Sequence, residues 1–148
     1  MRIGVLTGGG DSPGINACLR AIVRKAHEEG AEVVGFLDGW RGPLEGLTMP
    51  LGLKEVSGIL PQGGTILGTS RTNPFNKVKK DGETVWERTD KVDRILANLE
   101  ELGIDFLIAI GGDDTLGVAA HLIPEGVRAV GIPQTIDNDL WGTDYSIG

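Results

Sequence analysis

Two short segments concentrate side chains able to do chemistry. Asp113 and Asp114 follow Gly111-Gly112, and Asp137 and Asp139 lie in Thr135-Ile136-Asp137-Asn138-Asp139. A third segment, Gly8-Gly9-Gly10-Asp11-Ser12-Pro13-Gly14, is rich in glycine. Glycines let backbone N–H groups come close to a phosphate, and the N-terminus of a following helix attracts its charge. Carboxylates in such loops repel phosphate unless one of them holds Mg²⁺, which neutralises the phosphates, and another accepts a proton. That combination equips a site for phosphoryl transfer. Glycine turns alone are weak evidence, because ordinary tight turns use them too. The two acid-bearing loops carry the argument.

These loops need strands in front of them and helices behind. Arg2–Leu6 reads as a short buried strand, and the helix that follows the first loop runs from about Ile15 to Glu29, with Ile15, Leu19, Ile22 and Ala26 on one face. Gly30 is its natural stop. Val33–Leu37 reads as a second strand leading into Asp38-Gly39-Trp40-Arg41-Gly42. Between Pro43 and Arg88 the pattern is weaker. It gives a short helix near Leu53–Leu60, a loop through Gly63-Gly64 and Gly68-Thr69-Ser70-Arg71, and turns at Asn73-Pro74 and Asp81-Gly82.

Thr89 or Asp90 caps a helix that runs to Leu102, with Val92, Ile95, Leu96, Leu99 and Leu102 inward and Gly103 closing it. Phe106–Ile110 is an unbroken apolar run, as expected of a strand covered on both faces. It opens into Gly111–Thr115 and a helix to about Leu122; Val127–Ile132 is a further strand, ending in Pro133-Gln134 and the second acidic loop. Strand, loop and helix alternate, which predicts an α/β fold: a Rossmann-like three-layer αβα domain with a mostly parallel sheet. In such sheets ligands bind beyond the carboxyl ends of the strands, where all three loops fall.

The length of 148 residues suits one domain, and 40% apolar with 24% charged residues allows a real core. Twenty-four glycines are about twice the usual ~7% share. No apolar run approaches the ~20 residues of a membrane span, and no signal peptide precedes the first strand, so a cytoplasmic protein without membrane partners is expected. Fourteen Lys and Arg against 21 Asp and Glu, a net charge of −7, argue against a nucleic-acid partner. The single cysteine, Cys18, excludes an internal disulfide and any multi-cysteine metal site.

Motif tests remove two common classes. Pro13 stands three residues after Gly10, so G-x-G-x-x-G fails, and no G-K-[ST] occurs. What remains is specific. Gly4–Asn16 (Gly-Val-Leu-Thr-Gly-Gly-Gly-Asp-Ser-Pro-Gly-Ile-Asn), Ile110–Thr115 (Ile-Gly-Gly-Asp-Asp-Thr) and Pro133–Asp139 (Pro-Gln-Thr-Ile-Asp-Asn-Asp) resemble the signature segments of 6-phosphofructokinases, and Gly142-Thr143-Asp144-Tyr145 continues the match. The resemblance runs through the whole chain in order.

The resemblance implies phosphoryl transfer to the 1-hydroxyl of fructose 6-phosphate, giving fructose 1,6-bisphosphate in glycolysis. It places Gly9, Gly10, Arg71, Thr72, Gly112, Asp113, Asp114 and Thr115 on the donor, and makes Asp113 the carboxylate for Mg²⁺. Asp137 matches the base that takes the sugar hydroxyl proton, with Thr135 and Asp139 beside it; Thr135, Ile136 and Asp137 also face the sugar phosphate. An exposed Asp, with a pKa of ~3.9, is a poor base toward an alcohol. Asp137 therefore has to act as the proton leaves in the transition state, helped by metal and arginine charge.

Asp114 and Gln134 bear on the donor. ATP-using members usually carry glycine at the first position, whereas an acid there resembles pyrophosphate-dependent members, in which it occupies the space of the ATP α-phosphate. Those members usually pair it with lysine at the second position, here Gln134. Pyrophosphate is favoured over ATP because the acid excludes while the lysine only assists. Arg20 and Arg24, one helical turn apart, match arginines that bind effector phosphates in regulated relatives, or form a solvated basic face; Leu53 stands where a further effector arginine would fall.

His27 and His121 are expected at surfaces or helix ends, Cys18 in the core, and Trp40, Trp86 and Trp141 in packing or interfaces, with Trp40 a candidate donor contact. The run Lys77–Asp81 reads as a solvated turn. Members of the family are longer than this chain, and their remaining sugar-phosphate ligands come from the later half and a neighbouring subunit. The expectation is thus an N-terminal donor-binding and catalytic-loop domain, truncated relative to the family, from a homo-oligomer that is a dimer or tetramer at full length. Two rivals are a kinase of the NAD or diacylglycerol type, which shares a Gly-Gly-Asp loop, and a noncatalytic fragment that binds nucleotide or pyrophosphate.

Overall fold

A computed structural model describes residues 1–9, 14–59 and 61–134. In chain order these form β1 (Arg2–Thr7), α1 (Ile15–Glu28), β2 (Glu32–Phe36), α2 (Arg41–Glu45), β3 (Thr48–Pro50), β4 (Phe75–Lys80), β5 (Glu83–Arg88), α3 (Asp90–Glu101), β6 (Phe106–Gly111), α4 (Asp113–Leu122) and β7 (Ala129–Pro133). A 3-10 turn, Ile123–Glu125, precedes β7. The main sheet has the order β3-β2-β1-β6-β7, and β4 and β5 form a separate hairpin. β1 runs parallel to β2 and β6, and β6 runs parallel to β7; among the described strands of this main sheet only β3 is antiparallel to its neighbour.

Side-chain alternation along the central strands explains the layers. Leu6, Leu107 and Ala109 pack against α3 (Val92, Ile95, Leu99) and α4 (Val118, Ala119, Leu122). Val5 and Ile110 pack against α1 (Ile15, Leu19, Val23, Ala26). Successive residues of a strand face opposite ways, so an apolar run such as Phe106–Ile110 supplies both cores at once. Each fully buried Leu or Ile contributes about 1.5–3 kcal/mol by leaving water. Thr89 caps α3, its hydroxyl accepting from the Lys91 N–H, and Gly103, with φ +67°, turns the chain after it. The result is the expected three-layer αβα domain with a mostly parallel sheet.

The weak stretch between Pro43 and Arg88 holds the differences. The expected helix near Leu53–Leu60 is a series of turns over Leu53–Gly58, because among the described residues only Val56 and Ile59 are buried there and Gly58, at φ +76°, takes the left-handed region. Two buried residues give no apolar stripe to hold a helix. The five-residue α2 and three-residue β3 are too short to show a period. The supposed solvated run Lys77–Asp81 belongs mostly to β4. Asp81 and Gly82, at φ +52° and +80°, make the tight turn that joins it to β5.

Candidate active site

Chain order reverses between β1 and β6. From β1 the chain crosses through α1 to β2 on one side, and α4 later carries it from β6 to β7 on the other. A crevice opens at such a switch point beyond the carboxyl ends of the two strands. The Gly8-Gly9 and Gly111-Gly112 loops meet there. The Gly8 N–H donates to the Ile110 carbonyl at 2.8 Å, and the Gln134 N–H donates to the Gly111 carbonyl at 2.9 Å. Glycine is required at this junction. A Cβ on Gly8 would lie 2.1 Å from Thr115 Oγ1, and Gly9 has φ +77° with Gly112 N 3.5 Å from where its Cβ would stand.

Gly112 is the extended N-cap of α4 and offers no side chain to the first-turn N–H groups. Those donors and the helix dipole point toward the crevice, which makes the start of α4 attractive to an anion. Asp113 and Asp114 stand on that first turn and are exposed.

The opposite wall is a loop without regular structure, pinned by buried polar groups. Thr7 Oγ1, fully buried at the end of β1, lies 2.9 Å from Thr65 Oγ1 and donates to the Gly68 carbonyl at 2.8 Å. Asn16 in the first turn of α1 accepts from the Ile66 N–H at 2.9 Å. The Ser70 hydroxyl donates to the Asp38 carbonyl at 2.5 Å and lies 3.1 Å from Thr72 Oγ1. These contacts hold residues 65–72 across the ends of β1 and β2, which delivers Arg71 and Thr72 to the crevice.

Together these parts enclose a cleft of about 1060 Å³ lined by Gly9, Arg71, Thr72, Gly112, Asp113, Asp114 and Thr115 among others. Trp40 also lines it, buried, with its indole N–H donating to the Thr115 carbonyl at 3.2 Å. A second, smaller cavity of about 490 Å³ lies near Leu96, Ile104 and Arg128 and contains none of the expected site residues.

All the expected donor residues that are described, Gly9, Arg71, Thr72 and Gly112–Thr115, thus share one cleft. Gln134 lies beneath it, 2% exposed, with its Oε1 3.7 Å from where a Gly9 Cβ would stand; among the described residues that oxygen has no hydrogen-bond partner. Gly10, Thr135, Ile136, Asp137 and Asp139 lie outside the described residues, as does Trp141. Arg20 and Arg24 sit on α1 and are not among the residues lining the cleft. Cys18 packs against the α1 core, and burial raises its thiol above the usual pKa.

Lys77 escaped the sequence reading. It reaches from β4 to form an ion pair with Asp114, and its Nζ lies 4.8 Å from the centre of the Trp86 ring. The available signal was alternation. Phe75 is buried and Lys77 stands directly opposite Trp86 in the hairpin, so the lysine shares the face that Trp86 turns toward α4. Oppositely charged groups line the two walls: Arg71 and Lys77 face Asp113 and Asp114.

A doubly wound α/β domain with a glycine-built cleft at its switch point is thereby defined. The chain belongs to the phosphofructokinase family, whose sequence model matches residues 2–148. It is 56% identical over 150 residues to a pyrophosphate–fructose 6-phosphate 1-phosphotransferase of Streptomyces coelicolor, covering all of this chain and 41% of that protein. It is also 47% identical to an ATP-dependent 6-phosphofructokinase of Thermus thermophilus, covering 99% of this chain and 42% of that one. The chain therefore spans about two fifths of the length of these relatives. Among solved structures, phosphofructokinase from Saccharomyces cerevisiae superposes with a TM-score of 0.79 at 32% identity, over 99% of this chain and 22% of that one.

Proposed function

We propose that this chain forms the phosphoryl-donor side of an enzyme that phosphorylates the 1-hydroxyl of fructose 6-phosphate, with pyrophosphate preferred to ATP. The observation that carries the reading is the single cleft that gathers Gly9, Arg71, Thr72 and the start of α4 at the β1/β6 switch point. The relatives named for either donor support the reaction class, and the acid at Asp114 favours pyrophosphate.

In this reading the α4 N–H groups and Arg71 hold the donor phosphates. Asp113, an exposed carboxylate at the cleft, suits Mg²⁺. That ion takes one or two carboxylates and completes its shell with water and phosphate oxygens, so a site with no dense ligand cluster among the described residues fits it. When bound, Mg²⁺ supplies neutralisation of the donor's charge. Asp137 accepts the proton of the sugar 1-hydroxyl as that oxygen forms its bond to phosphorus. The bridging P–O bond breaks at the same time, and its electron pair leaves with inorganic phosphate. Arg71 then stabilises the charge that develops on the departing group.

The test is phosphorus NMR of the polypeptide containing this chain, mixed with Mg²⁺, fructose 6-phosphate and one donor at a time. The expected record is loss of the pyrophosphate resonance matched by equal growth of inorganic phosphate and of a sugar 1-phosphoester. Turnover of ATP with pyrophosphate untouched contradicts the donor assignment, and turnover of neither donor contradicts the reaction.

A further inference from the structure

We infer that Trp86, carried by the β4–β5 hairpin, is a donor-selecting residue that closes the place where the nucleoside of a nucleotide donor would rest. The inference depends on the donor-site reading above. A donor with phosphates at the start of α4 extends any further group past Phe75 and Val118, toward the α4 face just beyond the residues that line the cleft. The helix face that carries Asp113 continues at intervals of four residues to Gly117 and His121. Gly117 leaves a shallow depression on that face, suited to a flat ring.

The depression is filled. A Cβ on Gly117 would meet Trp86 Cη2 at 2.8 Å and Cζ2 at 3.0 Å, so the indole lies directly on the helix backbone. One turn further on, the His121 ring stacks on the indole, with centroids 4.6 Å apart and planes 6° apart. His121 Nδ1 donates to the Gly117 carbonyl at 2.8 Å, which fixes the imidazole in this pose. Phe75 packs against both rings, with centroids 6.0 Å from Trp86 and 5.4 Å from His121. A nucleobase binds by stacking on an exposed aromatic or apolar face. The apolar residues at this end of the cleft, Trp40, Phe75 and Val118, are each at most 6% exposed, and Trp86 is occupied by His121 and Lys77.

The hairpin is also anchored. Arg88 at the end of β5 pairs with Asp93 of α3 at 2.6 Å and with Glu125 at 3.0 Å, and the Thr89 hydroxyl donates to the Pro74 carbonyl at 2.5 Å. At the cleft, Lys77 ties the hairpin to Asp114. Pyrophosphate, with no nucleoside, needs none of the covered surface, whereas a nucleotide whose base extends along α4 meets it. Selection is therefore steric as well as electrostatic, and the steric part is separable from Asp114.

Calorimetric titration of the chain with Mg²⁺ and pyrophosphate, ATP or ADP tests this, comparing wild type with Trp86→Ala. The expected result is at least tenfold tighter binding of both nucleotides, with pyrophosphate affinity changed less than threefold. Unchanged nucleotide affinity with pyrophosphate binding intact overturns the inference and leaves the donor-site reading standing. Failure of the wild type to bind pyrophosphate overturns the donor-site reading, and this inference with it. If Trp86→Ala does not fold, Trp86→Phe decides by the same ratio. It keeps an aromatic ring in the hairpin core and withdraws the outer ring from Gly117, so a gain in nucleotide affinity supports the inference and no gain overturns it.

Discussion

Removing the charge at position 114 should change which donor the protein prefers. Two unit charges ~4 Å apart repel by about 4 kcal/mol at an effective dielectric near 20, and by about 1 kcal/mol in bulk water. The Asp114 side chain is 78% exposed and already paired with Lys77, which places the penalty on an ATP α-phosphate near the lower figure. A penalty of 1.4 kcal/mol is tenfold in affinity. Asp114→Asn, which keeps the shape and loses the charge, removes about 1 kcal/mol and is therefore expected to raise kcat/KM for ATP by about fivefold. Asp114→Gly should do at least as much by also clearing space. Pyrophosphate has no group at that position and should gain nothing. In a Lys77→Met background, Asp114→Asn should matter more, since no ammonium then offsets the carboxylate; exposed pairs of this kind carry ~0.2–1 kcal/mol. Steady-state kcat/KM with each donor on the four proteins of the cycle, and on Asp114→Gly, is the assay. Equal ATP use by wild type and both single variants at Asp114 would refute the reasoning, because the carboxylate would then not sense the donor.

Other consequences follow from the same geometry. Asp113→Asn should raise the Mg²⁺ concentration needed for half-maximal activity, with partial recovery in Mn²⁺; an unchanged metal titration would make Asp113 structural. Gly8→Ala drives a methyl into Thr115 and should cost about 1–3 kcal/mol in urea unfolding. Adding Thr115→Ala should restore part of that, and full additivity of the two losses would contradict the contact. The hydrogen bond from Arg88 holds Asp93 below its usual value of 3.8. A depressed folded pKa means the stability it contributes is present above about pH 3.8 and is lost as pH falls through the folded value. Arg88→Met should raise the Asp93 pKa back toward its usual 3.8 in an NMR titration, and an unmoved titration would deny the pair.

The parts legible in the sequence were those with a period or a fixed chemistry. The stripes of α1 and α3, the Thr89 cap and the run Phe106–Ile110 each declare an element on their own, and the glycine and acid loops mark the crevice they lead into. Between Pro43 and Arg88 the determinants are tertiary. Residues 65–72 have no regular structure, and the loop is held by Thr7, Asn16 and Asp38, which are distant in sequence. The hairpin was obscured because its outer face is charged, so Lys77 read as a solvated residue and Trp86 as generic packing. Register alone brings them together and onto α4.

The central claim is that the cleft between Gly9, Arg71 and the start of α4 is a donor site that takes pyrophosphate ahead of ATP. A competition titration measures this most directly. The chain is saturated with Mg²⁺ and pyrophosphate, ATP is added, and the amide signals of Gly9, Gly112 and Thr115 are followed by NMR. The expected outcome is that these amides shift with pyrophosphate and leave their pyrophosphate-bound positions only at ATP concentrations at least tenfold higher than the pyrophosphate present. Displacement at equal or lower ATP, or pyrophosphate shifts that bypass these three residues, would contradict it.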